Sequence, residues 1–138
     1  MPRSCSGTRI LIVEDRDDVQ AIAVAILSRL GCHVTVAQTA RAALTVIESD
    51  GAVDVLFADI RLPGGMSGLE LGQMVRDRWP EIRILLTSGE PGVDDVRGAA
   101  RADAFAVIGK PYRAAQLADA LRQVLDSPVA PVSLSKTA

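Results

Sequence analysis

Val53-Asp54-Val55-Leu56-Phe57-Ala58-Asp59 is an apolar run that stops on a carboxylate. A run of this length and composition suits a central parallel strand covered on both faces. Leu62-Pro63-Gly64-Gly65-Met66-Ser67-Gly68 follows and is rich in turn residues. Asp59 therefore belongs at the carboxyl end of a buried strand, the edge where open α/β sheets place their sites. Other runs repeat the form: Ile10-Leu11-Ile12-Val13 ends in Glu14-Asp15, Ile82-Arg83-Ile84-Leu85-Leu86 in Thr87-Ser88, and Phe105-Ala106-Val107-Ile108-Gly109 in Lys110-Pro111.

Helical patterns separate these runs. Val19, Ile22, Ala23, Ile26 and Leu30 recur at helical spacing, with Asp17 or Asp18 as a candidate cap and Gly31 as the stop. His33 to Ala37 alternates and is β-branched, which predicts a short edge strand. Thr39 caps a second helix with Ala40, Ala43, Leu44 and Ile47 inward. A third helix spans 69–79 and stops before Pro80. A weakly patterned helix is expected at 93–100, and a final one carries Leu117, Leu121, Val124 and Leu125 on one face. Strands alternating with helices predict an α/β fold: a parallel sheet with right-handed crossovers and helices on both faces.

A chain of 138 residues is long enough for one domain with a full core. The expected organisation is a flexible segment at 1–7, a folded unit at 8–126 and a flexible tail at 127–138. The longest uninterrupted apolar run, Ala21 to Leu27, is far below the roughly 20 residues that cross a bilayer. No signal peptide is read in the first residues. With net charge -2 and aromatics at 3%, the sequence has neither the basic stripe nor the stacking surface of a nucleic-acid binder. Cys5 and Cys32, read as unpaired thiols, suit a cytoplasmic location. Cys32-His33 lacks the companions a zinc site needs.

At a common sheet edge, Glu14, Asp15 and Asp59 would crowd negative charge, which calls for a compensating cation. Magnesium suits such an oxygen-donor set. Each residue has a plainer reading. Glu14-Asp15 could begin the next helix, Asp59 could start a turn, and Thr87 could be a strand residue, with Ser88 leaving the register open. Lys110 is more telling, because arginine fills nearly every other basic position and the remaining lysine, Lys136, lies in the tail. Taken together, the residues suit a bound divalent cation and an aspartate that accepts a phosphoryl group.

This constellation resembles the receiver domain of two-component response regulators over about residues 8–125. The resemblance rests on Ile12-Val13-Glu14-Asp15, on the segment from Asp59-Ile60-Arg61-Leu62-Pro63 to Gly68, on Leu86-Thr87-Ser88-Gly89, and on Lys110-Pro111-Tyr112. It implies a doubly wound five-stranded parallel sheet, (βα)5, of flavodoxin-like strand order 2-1-3-4-5. It also implies that Asp59 takes a phosphoryl group from a histidine kinase or a histidine phosphotransfer protein. Asp15 and Asp59 would bind Mg2+ directly with the Arg61 backbone carbonyl, and Glu14 would act through a metal-bound water. Lys110 would pair with Asp59, and Thr87 would swing its hydroxyl to the phosphoryl group. The chain would be a monomer or weak dimer that catalyses only its own phosphorylation and dephosphorylation. It would switch a protein-interaction face, as a stand-alone regulator or a receiver piece of a hybrid kinase.

The sequence departs from the family at Val107, three residues before Lys110, where a tyrosine or phenylalanine is frequent. The expected switch is therefore movement of the loop at 88–93 and the helix at 93–100. Rival readings are a magnesium-dependent phosphatase with an aspartate nucleophile and an adaptor receiver that is never phosphorylated. Arg61 stands where such phosphatases have a second aspartate. A flavin or dinucleotide binder would need a glycine- or hydroxyl-rich loop after the first strand, where Glu14-Asp15-Arg16-Asp17 stands instead.

Overall fold

Five strands and four helices make up the computed structural model, which describes residues 6–50, 52–89 and 105–126. In chain order these are β1 (Arg9–Val13), α1 (Asp17–Arg29), β2 (His33–Ala37), α2 (Ala40–Asp50), β3 (Val55–Asp59), α3 (Gly68–Arg78), β4 (Arg83–Ser88), β5 (Ala106–Gly109) and α4 (Ala114–Asp126). The expected helix at 93–100, the tail at 127–138 and most of the N-terminal segment lie outside the described residues.

The strands pair in the order β2-β1-β3-β4-β5, and every pairing is parallel. β2 is an edge strand, as its alternation predicts, while every residue of β3 is buried. Strand alternation sorts the core into two layers. Leu11, Val13, Leu56, Ala58, Ile84 and Leu86 pack with residues of α2 and α3 on one face. Ile10, Ile12, Phe57 and Leu85 pack with Ala23 and Leu27 of α1 and with Leu117, Leu121 and Val124 of α4 on the other.

Local details differ from the sequence expectation in ways that packing explains. Ile22 is 53% exposed, and the buried positions of α1 are Ala23 and Leu27. The i, i+4 pair touches the sheet, while Ile22 falls on the flank of the helical stripe. Neither Asp17 nor Asp18 caps α1. Arg16 is the N-cap residue and makes no side-chain cap bond. The two aspartates lie in the first turn, where negative charge suits the positive end of the helix dipole. Thr39 does cap α2, its Oγ1 accepting from the Ala42 amide at 3.0 Å. α3 begins at a capping box between Ser67 and Glu70, a Ser-x-x-Glu signature legible in the sequence.

Candidate functional site

The strand register brings the four run endings together. Ile12 is opposite Phe57, Phe57 opposite Leu85, and Asp59 opposite Thr87. With a side-chain period of two, Glu14, Asp59 and Thr87 continue the row of Ile12, Phe57 and Leu85 on the α1/α4 face. Ser88 falls on the opposite face, which resolves the register between it and Thr87. The ladder carries on past the strands: the Glu14 amide donates to the Ala37 carbonyl at 3.0 Å, and the Lys110 amide donates to the Ser88 carbonyl at 2.8 Å.

Lys110 ties the row together. Its Nζ donates to Glu14 Oε1 and to Asp59 Oδ2, both at 2.8 Å. Both carboxylates are buried, with Glu14 3% and Asp59 7% exposed. Burial by itself depresses the Lys110 ammonium, but its hydrogen bonds and attraction to Asp59 and Glu14 outweigh this and hold it above the ordinary lysine value. The second oxygens of the two acids are held by main chain. The Arg16 amide donates to Glu14 Oε2 at 3.1 Å, and the Arg61 amide donates to Asp59 Oδ1 at 3.1 Å.

Asp15 is exposed beside this pair. One carboxylate oxygen from each of Glu14, Asp15 and Asp59 lies within 4.8 Å of the others. Such a set of hard oxygen donors fits magnesium. An open cavity of about 480 Å³ lies over the acids, lined by Asp15, Arg16, Asp59, Arg61, Lys110 and Tyr112, with Ile22 and Pro111 also on its wall.

Thr87 is 3% exposed, and its Oγ1 has no hydrogen-bond partner among the described residues. A buried hydroxyl left unpaired is costly and calls for an explanation. Thr87 lines a small crevice together with Glu14, Phe57, Asp59 and Tyr112. Val107 is 39% exposed on β5, while Ala106 and Ile108 pack into the α1/α4 layer.

Two residues of the site stand in the motifs quoted from the sequence but were given no role there. Tyr112 sets its ring edge-on against Phe57, with centroids 5.8 Å apart. Burial pushes its phenol up to about 12, with Lys110 opposing and Glu14 and Asp59 adding. Its place directly after Lys110-Pro111 put it in the quoted motif, and the contact with Phe57 is seen only in the fold. Gly68 closes the loop that leaves Asp59: its amide donates to the Ile60 carbonyl at 2.7 Å, and a Cβ here would collide with the Asp59 carbonyl oxygen. Gly64 and Gly65, both at positive φ, allow the turn in between.

Residues 10–122 match the family model of the response regulator receiver domain. The chain belongs to this family. Its relatives include the nitrogen assimilation regulatory protein NtrX of Azorhizobium caulinodans, 29% identical over 86% of this chain and 26% of the relative. The sensory transduction protein RegX3 of Mycobacterium tuberculosis is 33% identical over 86% of this chain and 51% of that protein. Thus the receiver chain spans about a quarter to a half of these relatives' length. Among solved structures, a CheY-like response regulator receiver domain protein from Methanospirillum hungatei aligns with TM-score 0.76 and 30% identity, covering 88% of this chain and 95% of the other. The five-stranded order 2-1-3-4-5 that the resemblance implies is the observed one. Among the described residues no helix is long and apolar enough to cross a membrane.

Proposed function

We propose that this receiver, comprising residues 8–126, accepts a phosphoryl group on Asp59 from a histidine kinase or a histidine phosphotransfer protein in the cytoplasm. The observation that carries this reading is the partly buried lysine shared by two buried carboxylates, with Lys110 Nζ 2.8 Å from both Asp59 Oδ2 and Glu14 Oε1. An Asp59 carboxylate oxygen forms a bond to phosphorus while the phosphorus–nitrogen bond of the phosphohistidine breaks, and the departing imidazole takes up a proton. Lys110 then exchanges its Asp59 contact for a phosphoryl oxygen, meeting the added charge with a compact cation.

Asp15, Asp59 and the Arg61 carbonyl would hold Mg2+. Glu14, with both oxygens already engaged by Lys110 and the Arg16 amide, suits a role through a metal-bound water. Magnesium would neutralise phosphoryl charge. Thr87 supplies a donor with no partner among the described residues, so a phosphoryl oxygen at Asp59 would be a ready acceptor for it. Its movement would shift the loop at 88–93 and the interaction face beyond, passing the signal to a protein partner. The chain acts catalytically only on its own phosphorylation and dephosphorylation.

The deciding experiment is intact-mass analysis after incubation with a small phosphodonor and Mg2+. Wild type gains one phosphoryl group and Asp59→Ala gains none. Equal labelling of both would overturn the assignment, and labelling of neither would favour an adaptor that is never phosphorylated.

A further inference from the structure

We propose that Tyr112 is a positioning residue, whose ring, seated on Phe57, holds the turn that carries Lys110 so that the ammonium spans Asp59 and Glu14. This deepens the phosphoacceptor reading and rests on it. A lysine side chain is a point charge on a flexible stem and does not fix its own direction. Here one ammonium reaches two carboxylates at 2.8 Å each, so the backbone that delivers it must be held.

Among the described residues the supports of that backbone are identifiable. β5 ends at Gly109, and the Lys110 amide makes the next ladder bond, to the Ser88 carbonyl. α4 begins at Ala114, its entry fixed by the Arg113 amide donating to Gln116 Oε1 at 2.8 Å. Between these points the Tyr112 ring meets Phe57 at 5.8 Å between centroids and 62° between planes, a favourable edge-to-face arrangement. Phe57 is two residues before Asp59 on the same face of β3. The pair therefore ties the lysine's turn to the strand of the nucleophile. Tyr112 lines both the open cavity with Asp15 and Lys110 and the crevice with Thr87. The half-buried ring joins the α1/α4 core layer, and its contact is with the ring edge and face rather than through the hydroxyl.

The test compares Tyr112→Phe, Tyr112→Leu, Phe57→Leu and the double variant Phe57→Leu/Tyr112→Leu, each first confirmed folded by its thermal transition. The chain has two lysines, Lys110 and Lys136, so nitrogen-15 lysine labelling gives a simple ammonium spectrum. An ammonium held in buried ion pairs is protected from solvent exchange and gives a persistent signal. Wild type and Tyr112→Phe should both retain the Lys110 signal, and both should take phosphoryl from a small phosphodonor at similar initial rates. Tyr112→Leu should lose the signal and be labelled roughly tenfold more slowly, the scale expected when a reacting group is misplaced by a fraction of an ångström. Phe57→Leu should reproduce the defect, and the double variant should be no worse than either single one. If Tyr112→Leu does not fold, Phe57→Leu carries the same comparison. A persistent Lys110 signal and a normal rate in Tyr112→Leu or Phe57→Leu would overturn the proposal, as would failure of Tyr112→Phe to behave like wild type. Should wild type take no phosphoryl group at all, the phosphoacceptor reading fails, while the ammonium spectra still decide whether Tyr112 positions Lys110.

Discussion

Asp54 precedes β3 and Asp59 ends it, so one strand presents the same side chain at both edges of the sheet. Asp54 accepts from the Arg9 amide at 2.9 Å and from Arg9 Nε at 3.4 Å, with the two side chains 53% and 38% exposed, arginine first. Asp59 meets Lys110 at 2.8 Å with side chains 16% and 9% exposed, lysine first. At the amino edge, water already solvates the acid, so the pair merely fastens β1 to β3. At the carboxyl edge, the acid is out of water and depends on its partner. The same side chain thus forms an exposed clasp at one end and a buried charge cluster at the other, and burial decides which.

The sharpest way to break this contrast is labelling. Asp59→Asn should abolish phosphoryl uptake, whereas Asp54→Asn should leave the extent and rate of uptake unchanged by intact mass. A labelling defect in Asp54→Asn would show that the two edges are not independent. Next in size is the loss of the shared cation. Lys110→Met leaves Glu14 and Asp59 facing each other without it, and in metal-free buffer it should cost about 3 kcal/mol in urea unfolding. Added Mg2+ should recover part of that loss, because a divalent ion compensates the same carboxylates.

Alkaline pH probes the same edge. Lys110 and Tyr112 both have folded-state values above their ordinary ones of 10.5 and 10.0. Stability from the two groups is therefore fully present below pH 10 and is lost as pH rises towards and through their folded values. The chain has a single tyrosine, so near-ultraviolet absorbance follows Tyr112 directly. Its phenol should titrate at about 12 in the folded protein. A midpoint at the ordinary value would place the ring in water and off Phe57.

Smaller effects follow. Thr87→Val removes a buried hydroxyl that has no partner among the described residues, so it should raise the stability of the unphosphorylated protein by about 1 kcal/mol. Phosphorylation should persist, while the hydrogen-exchange change that accompanies it should shrink. Smallest is the stability effect of Asp54→Asn, about 0.5 kcal/mol by chemical unfolding, as befits an exposed pair. A loss as large as that of Lys110→Met would mean that burial does not distinguish the two ends.

Much of this organisation was legible because apolar runs ending in Glu14-Asp15, Asp59, Thr87 and Lys110 leave little choice once the strands are parallel. Period-two alternation then fixes which endings share a face. Other features depend on distances that no linear pattern carries. The division of Glu14 between Lys110 and the Arg16 amide is set by how far a glutamate reaches beyond a strand end. Ile22 fits the helical rhythm as well as Ala23 does, but only the angle at which α1 crosses the sheet decides which is buried. Tyr112 was quoted only as the end of Lys110-Pro111-Tyr112, because its partner, Phe57, is 55 positions away in sequence. The Ser67–Glu70 capping box was there to be read and lay hidden in a loop noticed for its glycines.

The close approach at Gly68 has a genetic consequence. The loop that leaves Asp59 returns to lie against the same residue's carbonyl, with room for a hydrogen atom and nothing larger. Asp59 and the start of α3 therefore behave as one piece, and any side chain at 68 acts as a wedge beneath Asp59. In a random search for variants that fail to signal, position 68 should be recovered alongside 59 and 110. A residue with no functional group would then share the phenotype of Asp59 and Lys110, and reading such a set as a roster of reacting groups would count one too many.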